Sequence, residues 1–222
     1  MSHPTSNILG NQTSSPWGRP GGEKQLGEDR LAYVPHRLSS VFHFCPRCGS
    51  IHFVPNDFKS MRCEDCGFVY YLNASAATAA LIFNSRDELL VIHRRDEPKK
   101  GMPDLPGGFV DFGESIEQGV AREVKEETGL IVTEAQFLFS FPNDYMYSGF
   151  NVPTVDSFFL CRVANEDEVC ASDDAADYQW VSPDKINPAD FAFESSRRAL
   201  TKFLGNLVTT QHPLPENVRS QR

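Results

Sequence analysis

From Gly108 to Leu130 the chain reads GFVDFGESIEQGVAREVKEETGL. Glu123, Glu126 and Glu127 stand at relative positions 0, 3 and 4, so a helix carries them on one flank, within an arc of about 100°. Like charges at such spacings destabilise a helix by roughly 0.2–0.5 kcal/mol per pair, so folding alone gives no reason to collect them. A hard dication does, because Mg²⁺ and Mn²⁺ take several oxygen ligands and carboxylates supply them. Ile116, Val120 and Val124 recur every four residues and form an apolar stripe that must pack on something. Glu127 lies about 20° from Val120 on the helical wheel. It therefore belongs at the floor of a cleft rather than in open solvent. Arg122, four residues before Glu126, is placed to hold it by a charge-assisted hydrogen bond. Gly107 and Gly108 let a ligand approach the main chain closely. The pattern predicts a helix from about Ser115 to Thr128, stopped by Gly129. Read as three glutamates alone, the same residues also describe an ordinary Glu-rich surface helix.

The wider spacing separates these readings. Gly108, Glu114, Arg122, Glu123, Val124, Glu126, Glu127, Gly129 and Leu130 fit G-x5-E-x7-R-E-(apolar)-x-E-E-x-G-(apolar) at every specified position. That is the signature of the Nudix hydrolases, which this segment resembles without a departure.

The chain has 222 residues, 40% hydrophobic with 17 Phe, enough for one medium domain and a small one. Its formal net charge of −9 argues against non-specific binding to nucleic acid or to an anionic membrane. No apolar run approaches the roughly 18 residues of a spanning helix. The first 35 residues are rich in Ser, Asn, Gly and Pro and lack the basic start and apolar stretch of a secretory signal. They are expected to be a disordered or loosely docked arm, in which Trp17 is either an anchor or exposed, and a cytoplasmic protein is expected. Residues 36–73 are expected to be a ribbon, 74–206 the main domain and 207–222 a flexible tail.

Four of the six cysteines form Cys45-Pro-Arg-Cys48 and Cys63-Glu-Asp-Cys66, each pair followed by glycine. Such knuckles turn successive thiolates onto one ion, and tetrahedral Zn²⁺ is the expected occupant. Two disulfides are the alternative in an oxidising compartment. Four protein ligands leave no position for a reactive water, so the zinc is expected to be structural. Charges between His43 and Tyr71 balance, whereas a nucleic-acid-binding ribbon should be basic. Phe42, Phe44, Phe53, Phe58, Phe68, Tyr70 and Tyr71 are expected to make a miniature core and dock it on the larger domain. Cys161 and Cys170 read as ordinary reduced cysteines.

Beyond Ala74 the pattern alternates strands with helices. Ala76–Phe83, Leu89–His93, Val155–Val163 and Gln179–Val181 read as strands. Phe137, Phe139 and Phe141 alternate and are expected on one face of another. Ser182-Pro183-Asp184 opens a helical turn. Phe193, Leu200, Phe203 and Leu204 suit one face of a closing amphipathic helix. Periodicity supports a mixed α/β domain; the resemblance implies the Nudix α/β/α sandwich with a mixed sheet, preceded here by the zinc ribbon.

Acids that gather Mg²⁺ or Mn²⁺ beside a glycine loop suit phosphoanhydride hydrolysis, since the ions neutralise phosphate oxygens and lower the pKa of an attacking water. The resemblance implies roles by position. Glu126 and Glu127 are the principal metal ligands beside the Gly107 carbonyl. Glu123 is a further ligand or the general base. Arg122 holds the glutamates, and Glu114 braces the loop or binds an outer metal. A further carboxylate is expected from beyond the box: Asp177, with Asp174 as its rival, or both are solvent-facing. Arg94 and Arg95 are candidates to clamp phosphate or are plain surface residues. Tyr145, Tyr147 and Phe150 are placed either to stack a nucleotide ring or to pack on the ribbon.

With its four-cysteine ribbon the chain resembles the NADH pyrophosphatase branch and the related ADP-ribose/FAD pyrophosphatases. It departs from the former after the box. Ser140-Phe141-Pro142-Asn143-Asp144-Tyr145 stands where that branch carries a Ser-Gln-Pro-Trp-Pro-Phe-Pro-like element. The expected substrate is a nucleoside diphosphate joined to a second moiety (NADH, ADP-ribose, FAD or a nucleotide sugar), with a homodimer as the candidate assembly. The alternatives are a nucleoside triphosphate pyrophosphohydrolase and a non-catalytic sensor that binds through its ribbon.

Overall fold

The computed structural model describes residues 38–171 and 175–210. The expected arm at 1–35, with Trp17, lies outside the described residues, as do Asp174 and the tail beyond Thr210.

Three strands build the ribbon: β1 (Phe53–Asp57), β2 (Ser60–Cys63) and β3 (Val69–Tyr71), antiparallel in that order. The two cysteine knuckles repeat one hydrogen-bond pattern. Gly49 N–H donates to Cys45 O and Gly67 N–H to Cys63 O, while Cys45 and Cys63 N–H reach Ser50 O and Phe68 O. Both glycines are left-handed, with φ of 76° and 74°, a region that costs other residues about 1–2 kcal/mol. Leu38, Phe53 and Met61 are buried beneath the knuckles, and Phe42, Phe68 and Tyr70 are half-buried around them. Phe44 and Tyr71 are exposed instead, so the miniature core is smaller than the aromatic count implied. Phe150 of the main domain completes it, its ring 6.2 Å from that of Phe42 and edge-on.

The main domain has two three-stranded sheets. One runs β4 (Ser75–Ile82), β8 (Phe150–Val163), β7 (Val132–Tyr147), with β4 parallel and β7 antiparallel to β8. The other runs β6 (Pro103–Asp104), β5 (Leu89–Arg94), β9 (Ala175–Val181), all antiparallel. Residue alternation sorts both sheets onto the same two faces. Leu81, Leu89, Val91, Phe158 and Leu160 pack under helix α2 (Glu194–Thr210) with Leu200 and Phe203. Ile82, Leu90, Phe159 and Cys161 pack under helix α1 (Ile116–Thr128) with Val120 and Val124. Helix, sheet layer, helix is the sandwich expected, and its sheet is mixed. Helix α2 continues four residues past Asn206, and Leu207 packs against the core. Among the described residues no helix is long and apolar enough to cross a membrane.

Two local expectations change. Phe137, Phe139 and Phe141 do not share a face, because the β7–β8 register shifts between Phe137 and Phe139. Such a bulge adds a residue and flips the side-chain alternation. Phe137 therefore packs edge-on against Phe159 on the α1 side, while Phe139 and Phe141 meet Phe158 on the α2 side. Phe193 ends just before α2 rather than on it, and its ring lies 5.4 Å from Tyr145.

Helix α1 begins where the serine caps it. Ser115 Oγ accepts from Gln118 N–H, and the Gln118 side chain accepts from Ser115 N–H in return. At the other end Gly129, left-handed at φ 74°, closes the helix onto Lys125 O. Ser115→Ala is expected to lower unfolding free energy by about 1 kcal/mol in urea titrations, with an unchanged slope. A loss under a few tenths would show that tertiary packing alone sets this terminus.

Candidate active site

Helix α1 presents the acids of the box to a glycine turn that has no room for side chains. A Cβ on Gly107, whose φ is +152°, would stand 2.1 Å from Thr78 O and 2.7 Å from Ala79 Cα. That glycine is dictated by backbone on both sides. A Cβ on Gly108 would meet the Glu123 carboxylate at 2.7 Å. Here the neighbour is a reactive group rather than the chain. Gly107 N–H donates to Glu127 Oε2 at 2.8 Å, and Glu127 is only 5% exposed. Its place beside Val120 on the wheel explains that burial.

Arg122 ties the rest together. Its Nε donates to Glu114 Oε1 (2.9 Å), its Nη1 to both Glu123 Oε1 (2.8 Å) and Glu126 Oε2 (2.9 Å), and its Nη2 to Phe109 O (2.9 Å) and Glu114 Oε2 (3.1 Å). The Glu114 carboxylate, then Glu123 and Glu126, hold the guanidinium protonated above its ordinary range. The same bond holds Glu114 below the usual carboxylate range. Glu114 also accepts from Asp111 N–H, which fixes the loop between the glycines and α1.

Glu123 and Glu127 line a cavity of about 230 Å³ together with Gly107 and Gly108. Arg94, Asp104, Tyr145, Asp156 and Phe193 form other parts of its wall. Arg94 lies there, but its donors are engaged: Nε to Pro98 O at 2.8 Å, Nη1 to Asp104 at 3.5 Å and Nη2 to Tyr145 Oη at 3.3 Å. It also stacks 4.9 Å from the Phe193 ring. It is a wall residue, less free to clamp phosphate than its position at the end of β5 suggested. Tyr145 faces the cavity, with its ring 5.3 Å from Phe109 and perpendicular to it. Arg95, Glu126, Tyr147 and Asp177 are outside the lining. Tyr147 is exposed at the β7–β8 turn, and Asp177 is exposed on β9, opposite His93.

Several wall residues escaped the sequence reading. Asp104 is buried; its Oδ1 accepts from Ser196 Oγ (3.0 Å) and Leu105 N–H (2.9 Å). Burial pushes its carboxyl up to about 6, against the pull of Arg94. Asp156 accepts from Thr154 Oγ1 at 2.6 Å and Ser195 Oγ at 2.5 Å. A signal for Asp156 existed: it stands two residues before Phe158 and four before Leu160, an acid on the core-facing row of a strand. Asp104 carried no such mark.

The residues suit two kinds of ion. Among the described residues, the four ribbon cysteines alone form a group of three or more His, Cys, Asp or Glu donors within 4.8 Å of one another. Their Sγ atoms are unbridged, with Cys45–Cys66 at 3.7 Å and Cys48–Cys63 at 3.6 Å. The edge of a tetrahedron with bonds of about 2.3 Å is about 3.8 Å. The backbone N–H groups of Cys66 and Asp65 bring the Cys63 thiol down to about 7. The box supplies oxygen donors only, which suit hard dications. Its glutamates lean on Arg122 rather than on one another. Beside them Thr78, which lines the cavity, has a buried hydroxyl without a hydrogen-bond partner.

A mixed sheet between two helices, with a double-glycine turn seated on a glutamate-bearing helix, defines the Nudix class of fold. Residues 73–203 match the NUDIX domain, and the chain belongs to that family. It is 35% identical over 105 residues to the NAD-capped RNA hydrolase NudC of Vibrio cholerae, covering 47% of this chain and 38% of that one. It is 30% identical over 175 residues to the protein of the same name from Pseudomonas aeruginosa, covering 77% and 59%. The chain thus spans about half the length of the curated relatives it matches. A NUDIX hydrolase from Nitrosomonas europaea shares the fold, with a TM-score of 0.60 at 21% identity over 78% of this chain and 95% of that one.

The two glycines should respond differently to alanine. Gly107→Ala forces backbone apart and is expected to cost at least about 1–3 kcal/mol of stability in urea. Gly108→Ala displaces a flexible carboxylate, so it should keep the unfolding midpoint close to wild type while lowering turnover at least tenfold. Equal stability losses would contradict that division.

Asp104 makes a separate prediction. Its folded pKa, about 6, lies above the unfolded value of about 3.9, so the native state binds the extra proton between them. Its stabilising contribution is full below about pH 4 and lost as pH rises through about 6, about 3 kcal/mol in all. Urea titrations from pH 4 to 7 should show wild type losing stability relative to Asp104→Asn across that window. Parallel pH profiles would remove the assignment.

Proposed function

We propose that the chain hydrolyses the pyrophosphate bond of a dinucleotide-like substrate, releasing a nucleoside monophosphate and a phosphorylated partner. The observation that carries this is the intact Arg122–Glu114–Glu123–Glu126 network beside Gly107 and Glu127, at one side of a cavity able to take a nucleotide end. The names of the NudC relatives support a dinucleotide-like substrate.

Glu123, Glu126 and Glu127, with the Gly107 carbonyl, are the residues assigned to Mg²⁺ or Mn²⁺; bound there, the ions supply charge neutralisation and an acidified water. Glu123 is assigned to take the proton from the attacking water. The water oxygen bonds to phosphorus as the bridging P–O bond breaks, and the leaving phosphate carries away the electron pair. Arg122 positions Glu123 and Glu126, and Glu114 braces the loop that carries Gly108. Asp177 remains the proposed outer carboxylate from beyond the box, reachable only if substrate extends past the cavity. The four ribbon cysteines are assigned to a structural Zn²⁺. A second reading follows from the name of the relatives, NAD-capped RNA hydrolase, in which the dinucleotide caps an RNA. The chain's net charge of −9 favours the small dinucleotide, because its 30 Asp and Glu outnumber its 21 Lys and Arg and a nucleic-acid backbone is repelled overall.

Incubation with NADH, ADP-ribose, FAD, nucleotide sugars and triphosphates, each with Mg²⁺ or Mn²⁺, should yield nucleoside monophosphates from the dinucleotide class. Glu126→Gln should lower turnover at least a hundredfold while preserving the circular dichroism spectrum. Pyrophosphate release from triphosphates alone would replace this reading by the triphosphatase. Full activity of the variant would refute the metal-ligand assignment.

A further inference from the structure

The cavity contains acids that the hydrolytic chemistry does not use. Asp104 is matched by Arg94 and buried. Asp156 is different, since it accepts from the hydroxyls of Thr154 and Ser195, both buried. Among the described residues it forms no ion pair with Lys, Arg or His. Two hydroxyl donors orient the carboxylate without cancelling its charge, and each oxygen keeps a lone pair for a further donor. Consecutive serines of α2 thus hold the two acids of this wall, Ser195 on Asp156 and Ser196 on Asp104.

Sheet register places Asp156 next to the aromatic part of the wall. It pairs with Ala77 on β4, and Ala77 in turn bridges to Phe109. Phe109 stands edge-on to Tyr145, whose other neighbour is Phe193. A ligand end that enters here meets flat apolar rings and a fixed, negatively charged acceptor. Phosphate or carboxylate is repelled by that acceptor. A ring that carries an N–H donor is attracted to it.

We propose that Asp156 is a specificity-determining residue that selects a heteroaromatic ring bearing an amino or amide N–H donor. This rests on the dinucleotide pyrophosphatase reading and specifies which substrate end the cavity accepts. Loss of one donor leaves a held carboxylate unmatched, and replacement of an amide by a carboxylate sets like charges together. Sites built around such a hydrogen bond discriminate strongly against the analogue that lacks it.

The test compares NAD with two analogues that differ at one ring substituent: the nicotinic acid form, where the amide becomes a carboxylate, and the hypoxanthine form, where the adenine amine becomes a carbonyl. Wild type is expected to prefer NAD over one of them by at least tenfold in kcat/KM, and the disfavoured analogue identifies which ring is read. Asp156→Asn should reduce that ratio at least fivefold. The ratio is internal to one preparation, so partial unfolding of the variant does not alter it. Equal use of all three by wild type, or an unchanged ratio in Asp156→Asn, overturns this inference and leaves the pyrophosphatase reading standing. Hydrolysis of none of the three by wild type overturns this inference; the pyrophosphatase reading falls with it only if ADP-ribose, FAD and the nucleotide sugars are also left intact.

Discussion

One guanidinium makes the acidic flank of α1 tolerable. Glu123 and Glu126 are three residues apart on a helix that also carries Glu127, and Glu114 joins them from the preceding loop. Arg122 donates to three of these four carboxylates, and its remaining bond, to Phe109 O, fastens the helix to the glycine turn. The fourth, Glu127, is answered by a backbone N–H from Gly107. An Arg side chain suits this task because its planar fork offers five donors in fixed directions, where an ammonium would offer a point charge. The turn, the loop to Ser115 and the helix are thereby held as one unit, and the cavity opens against it.

The remainder of the cavity is built by a different logic. Its wall comes from the β7–β8 hairpin and the start of α2, and consecutive serines of that helix donate to two of its acids, Ser195 to Asp156 and Ser196 to Asp104. The segment Ser140–Tyr145, where the chain departs from the NADH pyrophosphatase pattern, lies on β7, and Asn143 and Tyr145 from it face the cavity. The departure therefore falls on the surface that would meet the substrate's variable end, while the reactive flank keeps every specified residue. The departure and the retained signature thus fall on different walls of one cavity: Asn143 and Tyr145 on β7, Glu123 and Glu127 on α1.

How far the sequence could be read follows from how local each determinant is. The limits of α1 were legible because Ser115 and Gly129 each act on one helix end across three or four residues, Ser115 on Gln118 and Gly129 on Lys125. The knuckles were legible for the same reason. Alternation on β4, β5 and β8 reached only a mixed α/β domain; the sandwich came from the resemblance carried by the glutamate helix and its glycines. The bulge after Phe137 was not legible, because it depends on which residue of β8 faces which residue of β7. Arg94 reads as a free cation until Pro98, Asp104 and Tyr145 are brought to it from three segments. Asp104 and Asp156 take their serine partners from α2, roughly ninety and forty positions later respectively. Side chains whose role is set by distant partners escape a local reading in proportion to that distance.

That same dependence on distant partners gives the ribbon a physical connection to the cavity. Phe150 opens β8 and packs into the ribbon's core against Phe42, four residues before Thr154 and six before Asp156. Across the hairpin it pairs with Tyr147, two residues beyond Tyr145. The hairpin that lines the cavity is thus packed at its turn against the module that gathers the four clustered cysteines. Strands pinned at one end by such packing lose freedom along their length, which keeps Tyr145 and Asp156 in fixed relation to each other. The ribbon and the cavity wall thus share one strand, β8, which begins in the ribbon's core at Phe150 and reaches the cavity at Thr154 and Asp156.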